Sequence, residues 1–368
     1  MNKYFYVVIV FCLLACSSGD KTTDAFTVHV DFSNCDESYP LSSFIDSVHS
    51  IRLELPDSLF FGEVSDVLFA DTNIYVTDSK QAVVYRFNST GEFLNKIGSR
   101  GGGPGEYTSM NSCFLGKDVV FIDDLSARQI YSYTPDGDFI DRISFPFSFV
   151  YTDIMCLPDG DFLCHGLSPD SEEPEKNRGL WIMNSKGEKI KTILSITDVY
   201  PYISSPFSSF LPGEDGLIYI CEPPTGMTYS FNLNNHELKE VLRQRSDVKM
   251  ISEFKGMTND FSVKEDHTYC YTLVNSDHYI FSLWPLHTEA PMWAYTLYSK
   301  VTQKMEVFKD TSFDIPGVFS LGRSVISNIP NTLVSYFFDE TIREYFPEEH
   351  EKLKMKENIL IVKKFVFK

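Results

Sequence analysis

One short phrase occurs four times along this chain. It reads Val84-Tyr85-Arg86-Phe87-Asn88-Ser89-Thr90-Gly91-Glu92-Phe93, Ile130-Tyr131-Ser132-Tyr133-Thr134-Pro135-Asp136-Gly137-Asp138-Phe139, Leu180-Trp181-Ile182-Met183-Asn184-Ser185-Lys186-Gly187-Glu188-Lys189, and Thr228-Tyr229-Ser230-Phe231-Asn232-Leu233-Asn234-Asn235-His236-Glu237. The turn residue falls at positions 91, 137, 187 and 235, a period of 46 to 50 residues. A repeat of that length is one four-stranded blade of a β-propeller. Alternating large residues such as Tyr85 and Phe87 place two aromatics on one face of a strand, and a residue tolerant of positive φ then reverses the chain.

Two more apolar segments precede each phrase and read as inner strands: Val64 to Phe69 with Ile74 to Asp78, Cys113 to Leu115 with Val119 to Asp124, Ile154 to Leu157 with Phe162 to His165, and Phe210 to Leu211 with Leu217 to Glu222. Two further units are less regular. Phe261 to Val263, Tyr269 to Val274, Tyr279 to Trp284 and Trp293 to Tyr298, with a turn at Lys300 to Gln303, make a fifth blade. Val325 to Ile326, Leu333 to Phe338 and Ile359 to Phe367 make a sixth, completed by a strand from the N-terminal part, for which Ile51 to Leu55 is the best candidate. A ring whose two ends share a blade leaves no free edge at the join. The expected fold is therefore all-β, a six-bladed propeller of antiparallel four-stranded blades over residues 26–368. Glu348 to Glu357 is expected to add a short charged helix between strands of the last blade.

The first residues carry a separate message. A basic start, the apolar run Tyr4 to Ala15 and the box Leu13-Leu14-Ala15-Cys16 resemble a bacterial lipoprotein signal. The resemblance implies that residues 1–15 are removed, that Cys16 is lipidated, and that residues 16–25 are a tether. The expected location is the bacterial cell envelope, with the outer membrane favoured and the folded domain in the periplasm or at the cell surface. The formal charge of −19 opposes binding to phosphate backbones, so nucleic acid is not an expected partner. Cys113, Cys156, Cys164, Cys221 and Cys270 sit in apolar inner segments, where they read as small buried hydrophobes, and no spacing matches a zinc or redox motif.

From Ile51 to Tyr107 the chain runs through Ile51-Arg52-Leu53-Glu54-Leu55, Ile74-Tyr75-Val76-Thr77-Asp78 and Ile97-Gly98-Ser99-Arg100-Gly101-Gly102-Gly103-Pro104-Gly105-Glu106-Tyr107. In this it resembles the NHL-type six-bladed β-propeller lipoproteins of Gram-negative envelopes. The resemblance implies an anchored binding scaffold and no particular activity. The Gly98 to Gly105 run is not a dinucleotide loop, because a strand and not a helix N-terminus follows it.

Chain direction alternates within a blade, so the linkers between blades and the loops leaving second strands share one face. That face gathers Arg100, Glu106 and Tyr107 from the glycine-rich linker and Asp78, Asp124, His165 and Glu222 from the ends of second strands. Asp66, Asn111, Asp153 and Asn259 open the inner strands near the axis. The seven rim residues are the expected contacts for a glycan, peptide or protein partner, with no cofactor and no catalysis. A second reading is a metal-dependent hydrolase or lyase with a Ca²⁺-type ion on the axis.

Overall fold

The pair of large alternating residues in each recurring phrase fills the seam to the preceding blade. Tyr131 and Tyr133 pack with Val84 and Ile97 of the blade before, and Trp181 and Met183 pack with Phe121 and Ile130. Tyr229 and Phe231 pack with Leu163 and Leu180, and Tyr85 and Phe87 close against Val334, Leu360 and Val362 near the C-terminus. Each buried aromatic or aliphatic side chain of this kind contributes about 1.5–3 kcal/mol. The hydrophobic core is thus a circle of seams, and the last one joins the end of the chain to its beginning.

The structure, a computed structural model, describes residues 25–368 apart from 71, 147–149, 168–177, 197–206, 254–266, 287–291 and 322. The signal, most of the tether and Cys16 lie outside the described residues, as do Asn259 and the segment Phe261 to Val263. Six sheets follow one another around the axis: blade 1 over 64–97, blade 2 over 112–144, blade 3 over 150–196, blade 4 over 210–246, blade 5 over 271–312 and blade 6 over 323–367. First strands of blades 1 and 2, 2 and 3, and 4 and 5 touch around the centre. The fold is a six-bladed β-propeller, and among the described residues every strand falls within 26–367.

Among the described residues three strands precede blade 1. β1 (Phe26–Val30) pairs in parallel with the outer strand of blade 4, and β2 (Asp36–Pro40) with the outer strand of blade 5. These edge strands are absent from the sequence-based expectation, and they make blades 4 and 5 five-stranded. β3 (Ile45–Glu54) then pairs antiparallel with Ile359–Phe367 and completes blade 6, so the expected closure is observed.

Two expectations need correction. Blade 5 uses Tyr271–Asn275, Tyr279–Leu286, Met292–Ser299 and Lys304–Ser312, so the turn after Ser299 lies inside the blade instead of ending it. In blade 4 the left-handed residue is His236 (φ 58°), not Asn235. The reason is turn length: Asn88 N–H reaches the carbonyl of Glu92, four residues on, whereas Asn232 N–H reaches Glu237, five on. Gly91 (φ 91°) is required twice over, because a Cβ there would lie 2.0 Å from the Arg52 carbonyl oxygen of blade 6.

The insertion in blade 6 is longer than expected, comprising α1 (Asp339–Tyr345) and α2 (Pro347–Leu353). The six cysteines among the described residues are free. Cys113, Cys164, Cys221 and Cys270 are buried. Cys164 faces Ile154 while Cys156 faces Phe162, so the two do not oppose each other.

Candidate functional site

The carboxylates at the ends of second strands have a local task. Asp78 is fully buried and accepts hydrogen bonds from the backbone N–H groups of Gly62 (2.6 Å) and Glu63 (3.2 Å) in the incoming linker. It also accepts from the Gln81 N–H (3.0 Å) and the Gln81 side-chain amide (3.1 Å) in its own loop. Asp124 repeats the device in blade 2 with Thr108, Ser109 and the Ala127 N–H, its shortest contacts being two hydroxyls at 2.7 Å. Burial pushes the Asp124 carboxyl up, yet these hydrogen bonds outweigh it and hold the group below the usual carboxylate value.

Tyr107 is likewise buried and donates to the Ala82 carbonyl (2.8 Å), while Glu106 accepts from the Gly103 N–H (2.8 Å). The glycine-rich linker closes on itself through the Gly101 N–H to the Tyr107 carbonyl (3.0 Å), and a strand, Ser112–Gly116, follows. Arg100 is exposed and reaches the Lys80 carbonyl at 3.5 Å. Asp78, Asp124 and Tyr107 therefore hold the linkers in place.

Blade 4 departs from this pattern. Ser208 and Ser209 of its incoming linker bond to Asp153 of blade 3, through the hydroxyl (2.5 Å) and the N–H (2.6 Å). Glu222, one methylene longer than Asp78 and Asp124, turns instead to His165 Nε2 of blade 3, and both residues are buried. Burial alone pushes the imidazole down, but Glu222, helped by Asp153, holds its pKa above the ordinary histidine value. The two residues thus form a buried link across the seam between blades 3 and 4.

An open groove lies on the linker face where blade 6 meets blade 1. β3 ends at Glu54 and the following linker crosses to blade 1, while α1 and α2 rise from blade 6 on the other side. Between them is a cavity of about 560 Å³ lined by Phe60, Lys80, Arg323, Glu340, Arg343 and Glu357, among others. A second cavity of about 390 Å³ shares Phe60 and Glu357 with it and extends the groove. Phe60 is 53% exposed, which is unusual for so large a ring, and Arg323 stands 5.9 Å from the Phe338 ring centre. Asp339 fixes the α1 side, accepting from His350 Nε2 at 2.7 Å and facing Arg343 at 3.4 Å. Asp78, through Gly62 and Gln81, sets the opposite wall, and Arg100 touches the Lys80 backbone beside it.

Sequence reasoning missed Phe60, Lys80, Arg323, Asp339 and Arg343. Asp339 had a readable signal, since it directly follows a second strand much as Asp124 ends one, but the helices after it removed the aromatic that marked the other blades. Near the axis, burial pushes Asp66 and Asp123 up to about 7, the charge of Asp153 adding to the effect at Asp66. Among the described residues no three His, Cys, Asp or Glu side chains gather closely enough to hold a metal ion.

The fold has close likenesses. A protein of Bacteroides fragilis thought to be exported superposes with a TM-score of 0.72 at 16% identity, over 93% of this chain and 100% of that one. A member of the DUF4221 family from Bacteroides vulgatus superposes with a TM-score of 0.55 at 9% identity, over 88% and 98%. At these identities the likeness is one of fold. No curated protein matches the sequence. A family described as a domain of unknown function, DUF4934, matches residues 25–363.

Proposed function

Starting from the fact that the chain belongs to the DUF4934 family, we propose that it is an exported, lipid-anchored propeller that binds a glycan, peptide or protein segment in the groove between blades 6 and 1. The observation that carries this reading is the groove's composition. In a chain with a formal charge of −19, Lys80, Arg323 and Arg343 line one depression with Glu340, Glu357 and an exposed Phe60. Interleaved charges of both signs around an aromatic platform suit a polar polymer better than a small apolar ligand. Rigid blades position the loops that make these contacts. The anchoring rests on the Leu13-Leu14-Ala15-Cys16 box, with Cys16 as the lipidated residue, and the exported likeness from Bacteroides fragilis agrees with that location.

In this reading Arg100, Glu106, His165 and Glu222 act by shaping the linker face, and Arg100 adds a further cation beside Lys80. The test is a binding screen with the chain from Ala25 immobilised and exposed to peptidoglycan fragments, envelope polysaccharide and periplasmic extract. Saturable binding is expected. A Phe60→Ala, Lys80→Glu, Arg343→Glu variant is expected to bind at least about tenfold more weakly with an unchanged melting profile. Undiminished binding by that variant would place the contact elsewhere.

A further inference from the structure

A separate cavity lies on the propeller axis. It measures about 420 Å³ and is bounded by the first strands of blades 1 to 4 and by the first hairpin of blade 6. Leu68, Phe114, Leu211 and Ile218 make most of its wall apolar. Asp66 and Asp153 face it towards the linker side, and Asn328 faces it near the opposite hairpins.

The polar end is chemically one-sided. Among the described residues lining the cavity there is no lysine, arginine or histidine. Asp153 has Ser208 and Ser209 as donors, and His165, opposite it in the strand register, is engaged with Glu222. Asp66 accepts a hydrogen bond from the N–H of Val67, next in the chain, at 2.8 Å. Two carboxyls therefore stand in an apolar wall with no cation across the space, and buried charge is ordinarily paired. The reluctance of Asp66 to ionise is the mark of a charge that a bound cation would stabilise.

We propose that this axial cavity binds a small apolar molecule carrying a protonated amine. The ammonium group lies between Asp66 and Asp153, where its three N–H donors meet carboxylate oxygens. The apolar body lies along Leu68, Phe114 and Ile218, where it displaces water from a wall that offers no hydrogen bonds. A hard metal ion suits the space less well, because such ions need six or more oxygen ligands. The site is distinct from the groove between blades 6 and 1 and stands whether or not that groove binds a polymer.

The experiment is calorimetric titration of the chain from Ala25 with butylamine, hexylamine and 2-phenylethylamine, each paired with the alcohol of the same shape. At least one amine is expected to bind at a single site, with its alcohol weaker by about thirtyfold or more. Asp66→Asn, which keeps the shape and removes the charge, is expected to weaken the amine by a similar factor and leave the alcohol unaffected. Ile218→Trp, or Leu68→Phe should the tryptophan variant not fold, is expected to abolish binding by filling the cavity. The groove variant at Phe60, Lys80 and Arg343 should bind the amine like the parent. Equal affinity for amine and alcohol, an unaltered titration with Asp66→Asn, or no saturation by any amine up to about 10 mM would overturn the proposal.

Discussion

A chain that starts at Pro56 is expected not to fold to a monomer, whereas one that starts at Leu41 is expected to fold with a lower urea midpoint. The two differ by residues 41–55, which are β3 with the buried Leu41 and Phe44 before it and Leu55 after it. That strand buries Ile45 and Leu53, half-buries Val48 and Ile51, and pairs along Ile359–Phe367. Losing it removes about 5 kcal/mol or more of apolar burial from a total stability that is ordinarily about 5–15 kcal/mol. It also leaves the apolar strand Ile359–Phe367 as an open edge, a template for aggregation. The shorter deletion removes β1 and β2. β1 buries Val28 and Val30, and β2 buries no side chain, so the loss is about 3 kcal/mol and the ring survives. Urea unfolding followed by far-ultraviolet circular dichroism, with size-exclusion chromatography, distinguishes the outcomes. A peptide of residues 45–55 added to the Pro56 chain should restore the monomer. Equal midpoints for the two chains would mean that β3 does not close the ring.

Stability is expected to fall as pH rises from about 5 to about 8, the reverse of the common pattern for carboxylate-rich proteins. Burial raises Asp66 and Asp123 from the ordinary 3.8 to about 7. Between those values the folded chain holds protons that the unfolded chain has released, so the slope of unfolding free energy against pH is negative. Each group contributes up to about 4 kcal/mol, present below its unfolded pKa and lost as pH climbs through the folded one. Asp153 and His165, both also raised, act in the same direction. Asp124 is lowered, so its contribution is lost only as pH falls through its folded value, below the ordinary carboxylate range. Urea midpoints at pH 5 and pH 8 check this. Asp66→Asn should match the parent at pH 5 and exceed it at pH 8 by a few kcal/mol. A parent midpoint that rises between these pH values would refute the assignment of buried, protonated carboxyls.

Blades 1 to 4 were legible because the residues that fill their seams recur at fixed spacing, as Tyr85, Tyr131, Trp181 and Tyr229 do. β2 was not legible, since its sequence Asp36-Glu37-Ser38-Tyr39-Pro40 has no apolar alternation and is held by backbone pairing and by one half-buried ring, Tyr39, stacked on Phe308. The same logic separates the two kinds of rim residue. Asp78 and Asp124 could be found by their repeated position, and repetition is what a device serving each blade produces: both carboxylates hold linkers. The groove residues could not be found that way. Lys80, Arg323 and Arg343 lie 20 or more positions apart and meet only because β3 carries the N-terminal segment into blade 6 while α1 rises from that blade across the groove from Lys80. Their juxtaposition belongs to the closure and to a non-repeating insertion, neither of which has a periodic signature.

Groove and axial cavity alike depend on that clasp between the two ends of the chain. Within it, His49 of β3 lies directly opposite Lys364 of the last strand. Opposed residues of antiparallel strands have Cα atoms about 4.5–5.5 Å apart, within reach of a disulfide. With Cys35 replaced by serine, a chain carrying His49→Cys and Lys364→Cys should form, on mild oxidation, a cross-link within the monomer, seen as a 49–364 linked peptide by mass spectrometry. Linkage that appears only between chains, or with no preference for residue 364, would show that the ring is not closed as described.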